Sequence, residues 1–170
     1  MGNNNRSSLR EFLLSLPQRQ LIEKRVIANA VDTLSRIISL DIVDTDHERF
    51  GRIYLKDGKP TLEVSILLVK NLMLIDLTFD KDQQVTSTFF LSRSTGINLK
   101  TFSSAEASNE DLDAFDKENI SYRTELDIDV SGAGIQFSYS AEGDRKTVNA
   151  LITYGYKCIS ALQSLSEKGA

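Results

Sequence analysis

The chain holds one histidine, one cysteine, two prolines and no tryptophan in 170 residues, and each shortage removes a class of chemistry. A lone cysteine, Cys158, excludes an internal disulfide, so nothing in the sequence requires an oxidising compartment and cytoplasmic residence is the expectation. With His47 the only histidine, a zinc site built from two or more His, or from several Cys and His, cannot be assembled within one chain. A Ser-His-Asp or Cys-His centre would have to use His47, which sits in "DIVDTDHERFG" between two predicted strands, and no G-x-S-x-G elbow accompanies it. The expected role is that of an exposed loop histidine in a protein without cofactor or metal.

A basic excess is lacking too: 20 basic against 24 acidic residues give a net charge of -4 and a pI near 5.1, which argues against nucleic-acid binding. So are long uncharged apolar runs. The most apolar stretch, "TLEVSILLVKNLMLIDLTF" at 61–79, carries Glu63, Lys70 and Asp76, whereas a membrane helix needs about 20 nearly uncharged residues. No transmembrane segment is expected. The opening "MGNNNRSS" is polar and reads as a disordered tail rather than a signal peptide. Myristoylation at Gly2 wants Ser or Thr at position 6, where Arg6 stands.

What is present is strand pattern between two helices. Folding 61–79 about Lys70-Asn71 pairs Leu62 with Phe79, Val64 with Leu77, Ile66 with Ile75 and Leu68 with Met73, one apolar face of a hairpin. The other face begins polar, with Glu63, Ser65, Asp76 and Thr78, and turns apolar at Leu67, Val69, Leu72 and Leu74. That end is therefore covered on both sides. Before the hairpin, Leu9, Phe12, Leu13 and Leu16 suit a short helix, and Pro17 suits the first turn of a second over about 18–36. Ile27, Ala30, Val31, Leu34 and Ile38 give this second helix an apolar stripe. Strands are predicted near 38–44, 50–56, 61–69, 72–79, 85–92 and 96–103, in an antiparallel meander with short turns. The segment 105–119, "AEASNEDLDAFDKEN", is an acidic connection. A second hairpin folded about Ser131 to Gly134 pairs Val130 with Ile135, Ile128 with Phe137 and Leu126 with Tyr139. Asp144 then caps a helix whose stripe runs Val148, Leu151, Ile152, Gly155, Ile159, Leu162 and Leu165. Gly155 on that stripe lets the helix approach the sheet closely.

The expected organisation is a polar tail (1–8), an N-terminal helical extension (9–36) and one α+β domain (37–170). The domain is a bent antiparallel sheet or partial barrel of about seven to eight strands, with a C-terminal helix packed on it. In element order over roughly 38–166 this outline resembles the pleckstrin-homology roll, and also the helix-grip lipid carriers; the resemblance implies a binding function.

No candidate constellation is a strong one. "DTDHE" and "DKDQQ" begin like calcium loops, but Leu55 and Leu91 stand where the twelfth-position acid is needed. Glu125, Asp127 and Asp129 line one strand face opposite Gln136, Ser138 and Ser140, as an exposed sheet requires. "SGAG" is a hairpin turn. "GDRKT" puts Arg145 and Lys146 beside free N–H groups at a helix start, where an anion could sit. Tyr154 and Tyr156 lie off the apolar stripe, so one of them reaches solvent or a partner.

The N-terminal helix, with Ile27, Val31 and Leu34 on its stripe, adds positive charge to an acidic protein: Arg6, Arg10, Arg19, Lys24, Arg25 and Arg36 outnumber Glu11, Glu23 and Asp32. These features favour a non-catalytic binding or adaptor module. Its partner would be another protein, a second copy of the chain, or a membrane surface. The alternatives are a small carrier of a lipid or other apolar ligand between sheet and last helix, and an acidic dedicated chaperone of a secreted protein.

Overall fold

A computed structural model describes residues 2–39, 47–105, 120–130 and 134–167. The chain divides into two compact units, 1–91 and 92–170.

The first unit starts with α1 (Gly2–Leu14) and α2 (Lys24–Ser39), joined by a 3-10 turn at Arg19–Leu21. Pro17 disfavours a helical conformation for Leu16, and Gln18 takes a left-handed φ of 60°. Pro17 therefore does not open the second helix, which starts at Lys24 instead of near 18. Ile38 and Ser39 belong to α2 and not to a strand; the rest of the strand expected at 38–44 lies outside the described residues.

Four strands follow in sequential antiparallel order: β1 (His47–Lys56), β2 (Lys59–Leu68), β3 (Met73–Phe79) and β4 (Gln84–Phe90). Asp57 and Gly58 link β1 to β2 with φ of 52° and 75°, the mirror-type two-residue turn whose twist suits a hairpin. The β2–β3 register is the one expected from the alternation, Leu62 opposite Phe79 through Leu68 opposite Met73. The apolar face of this hairpin forms one core with the helices, in which Leu9 and Leu13 of α1 and Ile27, Ala30, Val31 and Leu34 of α2 join Leu62, Val64, Ile66, Ile75 and Leu77. The absence of a side chain at Gly51 brings α1 onto the sheet, since a Cβ there would stand 3.0 Å from Phe12 Cζ.

The second unit is a three-stranded antiparallel sheet, β5 (Thr95–Ala105), β6 (Ile120–Val130) and β7 (Ile135–Gly143), followed by α3 (Arg145–Glu167). The hairpin register is again the expected one. Leu126, Ile128 and Tyr139 of the sheet and Leu151, Tyr154 and Cys158 of α3 are buried, with the Tyr139 and Tyr154 rings edge to face at 6.5 Å. At Gly155 a Cβ would lie 3.0 Å from Leu99 Cδ1 and 3.3 Å from Leu126 Cδ1, the close approach that the glycine was expected to allow.

The fold is α+β with seven described strands, but the meander breaks. Among the described strands β4 pairs with β3 only, and β5 pairs with β6 across the acidic connection, Ile97 opposite Ile128 and Lys100 opposite Glu125. The described strands form two sheets and no closed barrel.

Candidate functional site

The polar half of the first hairpin's outer face is not a solvated surface. The register sets Arg52 opposite Glu63 and Ser65 opposite Asp76. Glu63 is 8% exposed, and Ser65 and Asp76 are buried as well. Arg52 pairs with the Glu63 carboxylate through Nε and lies 4.7 Å from the Tyr54 ring centroid. Burial pushes the Glu63 carboxyl above its usual range; Arg52 opposes that shift and Asp76 adds to it. Burial, reinforced by Glu63, also raises the Tyr54 hydroxyl. Alternation identifies which residues share a face but not whether that face is covered, and here the polar end is covered like the apolar end at Leu67 and Leu74. This cluster is a satisfied buried pair with its carboxylate committed to a guanidinium.

On the helix-facing side, Arg49 donates to Ser8 Oγ at 3.0 Å and lies 4.7 Å from the Phe12 ring centroid. Burial pulls its pKa down. Its role is to pin α1 to β1.

The exposed feature is β4, "QVTSTFF", without one charged residue. The other edge strand, β1, carries His47, Glu48, Arg49, Arg52 and Lys56, the protection that sheet edges ordinarily have. Val85 is 48% exposed and Phe90 70%. Two backbone bonds flank the β3–β4 ladder in its own register: Leu91 N–H donates to Leu72 O at 2.6 Å, and Asp80 N–H to Gln83 O at 3.0 Å. In an antiparallel pair, hydrogen-bonded and non-hydrogen-bonded positions alternate. Val85, Ser87 and Phe89 therefore face β3 with their main-chain groups, and the N–H and C=O groups of Gln84, Thr86, Thr88 and Phe90 point to the edge that no described strand occupies. The Asp80 carboxylate locks the preceding turn by accepting from the N–H groups of Asp82 and Gln83, both at 2.7 Å.

The residues singled out from sequence fall in different places. Ile27, Val31 and Leu34 are buried in the first unit's core, so the stripe of α2 docks on its own sheet and is not a free surface. Tyr154 is buried, whereas Tyr156 is 61% exposed. Arg145 and Lys146 are exposed in the first turn of α3; Arg145 sits 5.6 Å from the Tyr122 ring centroid. Asp144 caps that helix by accepting from Thr147 N–H at 2.8 Å, which holds its carboxyl below the usual range. Asp127 accepts from Ser138 Oγ at 2.7 Å and Glu125 pairs with Arg123. His47, expected in an exposed loop, opens β1 and is half-buried. Among the described residues no three His, Cys, Asp or Glu side chains gather as a metal site, and no helix is long and apolar enough to cross a membrane. The β4 edge was missed by sequence reasoning, and its run of seven uncharged strand residues would not have singled it out, because residues 135–141 of β7 form another.

No protein-family model, curated protein or solved structure matches this chain.

Proposed function

We propose that this protein is a non-catalytic binding module that takes up an extended polypeptide by strand addition at β4. The carrying observation is the open edge, with main-chain donors and acceptors aimed outward from an uncharged, exposed strand. Strand addition draws affinity from main-chain hydrogen bonds and specificity from alternate side chains. At this edge Val85 and Phe90 supply apolar contacts, and Thr86 and Thr88 adaptable polar ones. An adaptor or a dedicated chaperone would use such an edge equally well. The tight approach of α3 at Gly155, where an added Cβ would stand 3.0 Å from Leu99 Cδ1, favours this reading over a carrier holding ligand at that contact.

Native mass spectrometry of the protein drawn from its source cell tests the proposal when wild type is compared with Thr88→Pro. The Thr88 N–H points away from β3, so proline there removes no bond of the folded unit, and edge strands tolerate it. A bound polypeptide mass that disappears in Thr88→Pro is the expected result. A polypeptide retained by Thr88→Pro, or a lipid-sized mass in both proteins, overturns it.

A further inference from the structure

We infer that the β4 edge pairs with the β4 edge of a second copy, antiparallel about a two-fold axis at Ser87, joining two four-stranded sheets into one of eight. The inference rests on the strand-addition reading and names its occupant. Its basis is the order of residues on the strand. Reversing "QVTSTFF" about Ser87 sets Thr86 opposite Thr88 of the second copy, Val85 opposite Phe89, and Gln84 opposite Phe90. Two of these pairings belong to favoured cross-strand classes, β-branched with aromatic and Thr with Thr. No charge meets a like charge, which is what a self-complementary interface needs, because in a two-fold contact each residue i that meets j is matched by j meeting i, and only Ser87 on the axis faces its own counterpart.

The backbone phase agrees with the same axis. The outward-pointing residues are Gln84, Thr86, Thr88 and Phe90, fixed by the flanking bonds at Leu91–Leu72 and Asp80–Gln83. In the Ser87-centred register each of them meets another outward-pointing residue: Thr86 meets Thr88 and Gln84 meets Phe90. Every open donor and acceptor of the edge is paired, giving about eight inter-chain bonds at two per hydrogen-bonded pair. A shift of the axis by one residue, onto Thr86 or Thr88, keeps outward groups opposite one another but sets Val85 against Ser87 or Phe89 against Ser87 and leaves an end of the strand unpaired. Ser87 itself falls at a non-hydrogen-bonded position, where Cα atoms approach to about 4.5 Å. The occupant is a second copy because, of the residue-centred registers, the one about Ser87 pairs all seven residues of the strand, sets Val85 opposite Phe89 and Thr86 opposite Thr88, and brings no charge against charge. A single seven-residue strand pair is a small interface, so association in roughly the micromolar range is expected.

Sedimentation velocity of the full chain from about 1 to 500 µM, with Ser87→Cys cross-linking, tests the inference. The wild type shifts from 19.0 kDa to twice that mass across the series, and Thr88→Pro weakens the association at least tenfold with an unchanged circular dichroism spectrum. Ser87→Cys, treated with oxidised glutathione, gives a covalent dimer, since the axial Cα separation lies within disulfide reach; Thr86→Cys, which meets Thr88 and not itself, gives far less. The buried native Cys158 supplies the background rate in wild type. A wild type monomeric throughout, a dimer untouched by Thr88→Pro, or cross-linking no faster at Ser87 than at Thr86 each overturns the inference. Loss of a captured polypeptide in Thr88→Pro from a monomeric wild type would refute self-pairing and leave strand addition standing.

Discussion

Removing the Glu63 carboxylate is the perturbation whose outcome depends most on the buried face of the first sheet. Breaking an exposed ion pair costs about 0.2–1 kcal/mol, and removing one partner of a fully buried pair costs about 3–5 kcal/mol. The Glu63–Arg52 pair lies between these limits, because the Glu63 side chain keeps 11% of its exposure and Arg52 keeps 20%. Both side chains keep part of their exposure, so Glu63→Ala is expected to cost about 2 kcal/mol near neutral pH. The loss comes from removing the carboxylate that faces the largely buried Arg52 guanidinium and not from the worth of the pair. Replacing both residues by apolar ones, Arg52→Met with Glu63→Leu, therefore recovers most of it.

The pH dependence carries its own sign. The folded-state pKa of Glu63 is raised, chiefly by burial, so between the ordinary carboxylate value and the raised one the folded protein holds more protons than the unfolded chain. Stability falls with rising pH wherever the folded state binds more protons. The contribution of Glu63 is thus present below the ordinary value, near pH 4, and lost as pH rises through the raised one. Glu63→Gln carries no such group. Urea unfolding followed by circular dichroism from about pH 4 to about pH 7 should show the wild type losing stability relative to Glu63→Gln as pH increases. A wild type that instead gains on Glu63→Gln would mean that attraction to Arg52 outweighs burial and would refute the reasoning. A cost of Glu63→Ala within 0.5 kcal/mol of zero, the range typical of surface substitutions, would show that the face is solvated after all.

Two further outcomes follow from packing. Ile66 is fully buried and opposite Ile75, so Ile66→Ala should cost about 2–5 kcal/mol in chemical denaturation; a loss no larger than that of Thr86→Ala on the exposed edge would contradict the register. At Gly155 the first added carbon already stands 3.0 Å from Leu99 Cδ1, so Gly155→Val should lower stability by roughly 1–3 kcal/mol despite better helix propensity. Adding Leu99→Ala, which clears the nearest atoms, should return part of the lost melting temperature, and a simple sum of the two losses would locate the strain elsewhere.

The parts of this architecture legible in the sequence are those set by a period. Side chains alternate across a strand, so "TLEVSILLVKNLMLIDLTF" could be folded into its register without knowing what lay above or below it, and the same holds for Leu126 with Tyr139 in the second hairpin. The apolar stripe of α2 was legible as a surface needing cover, but the side chains of Ile27, Val31 and Leu34 hold no information on whether a sheet of the same chain or another protein supplies it. The burial of Glu63 was hidden for a related reason: a polar residue on an alternating face looks the same in sequence when solvated as when buried, and only the folded structure, with Glu63, Ser65 and Asp76 all buried, distinguishes the two. Edge status is harder still, because it is a relation between a strand and a neighbour it does not have. A charge-free "QVTSTFF" in the middle of a sheet would be an ordinary interior strand. It is recognised as an edge only once β3 is known to occupy one side and no described strand the other. Under the proposed self-pairing the chain's own order supplies the register, since reversing the strand about Ser87 pairs all seven of its residues and sets Val85 opposite Phe89 and Thr86 opposite Thr88.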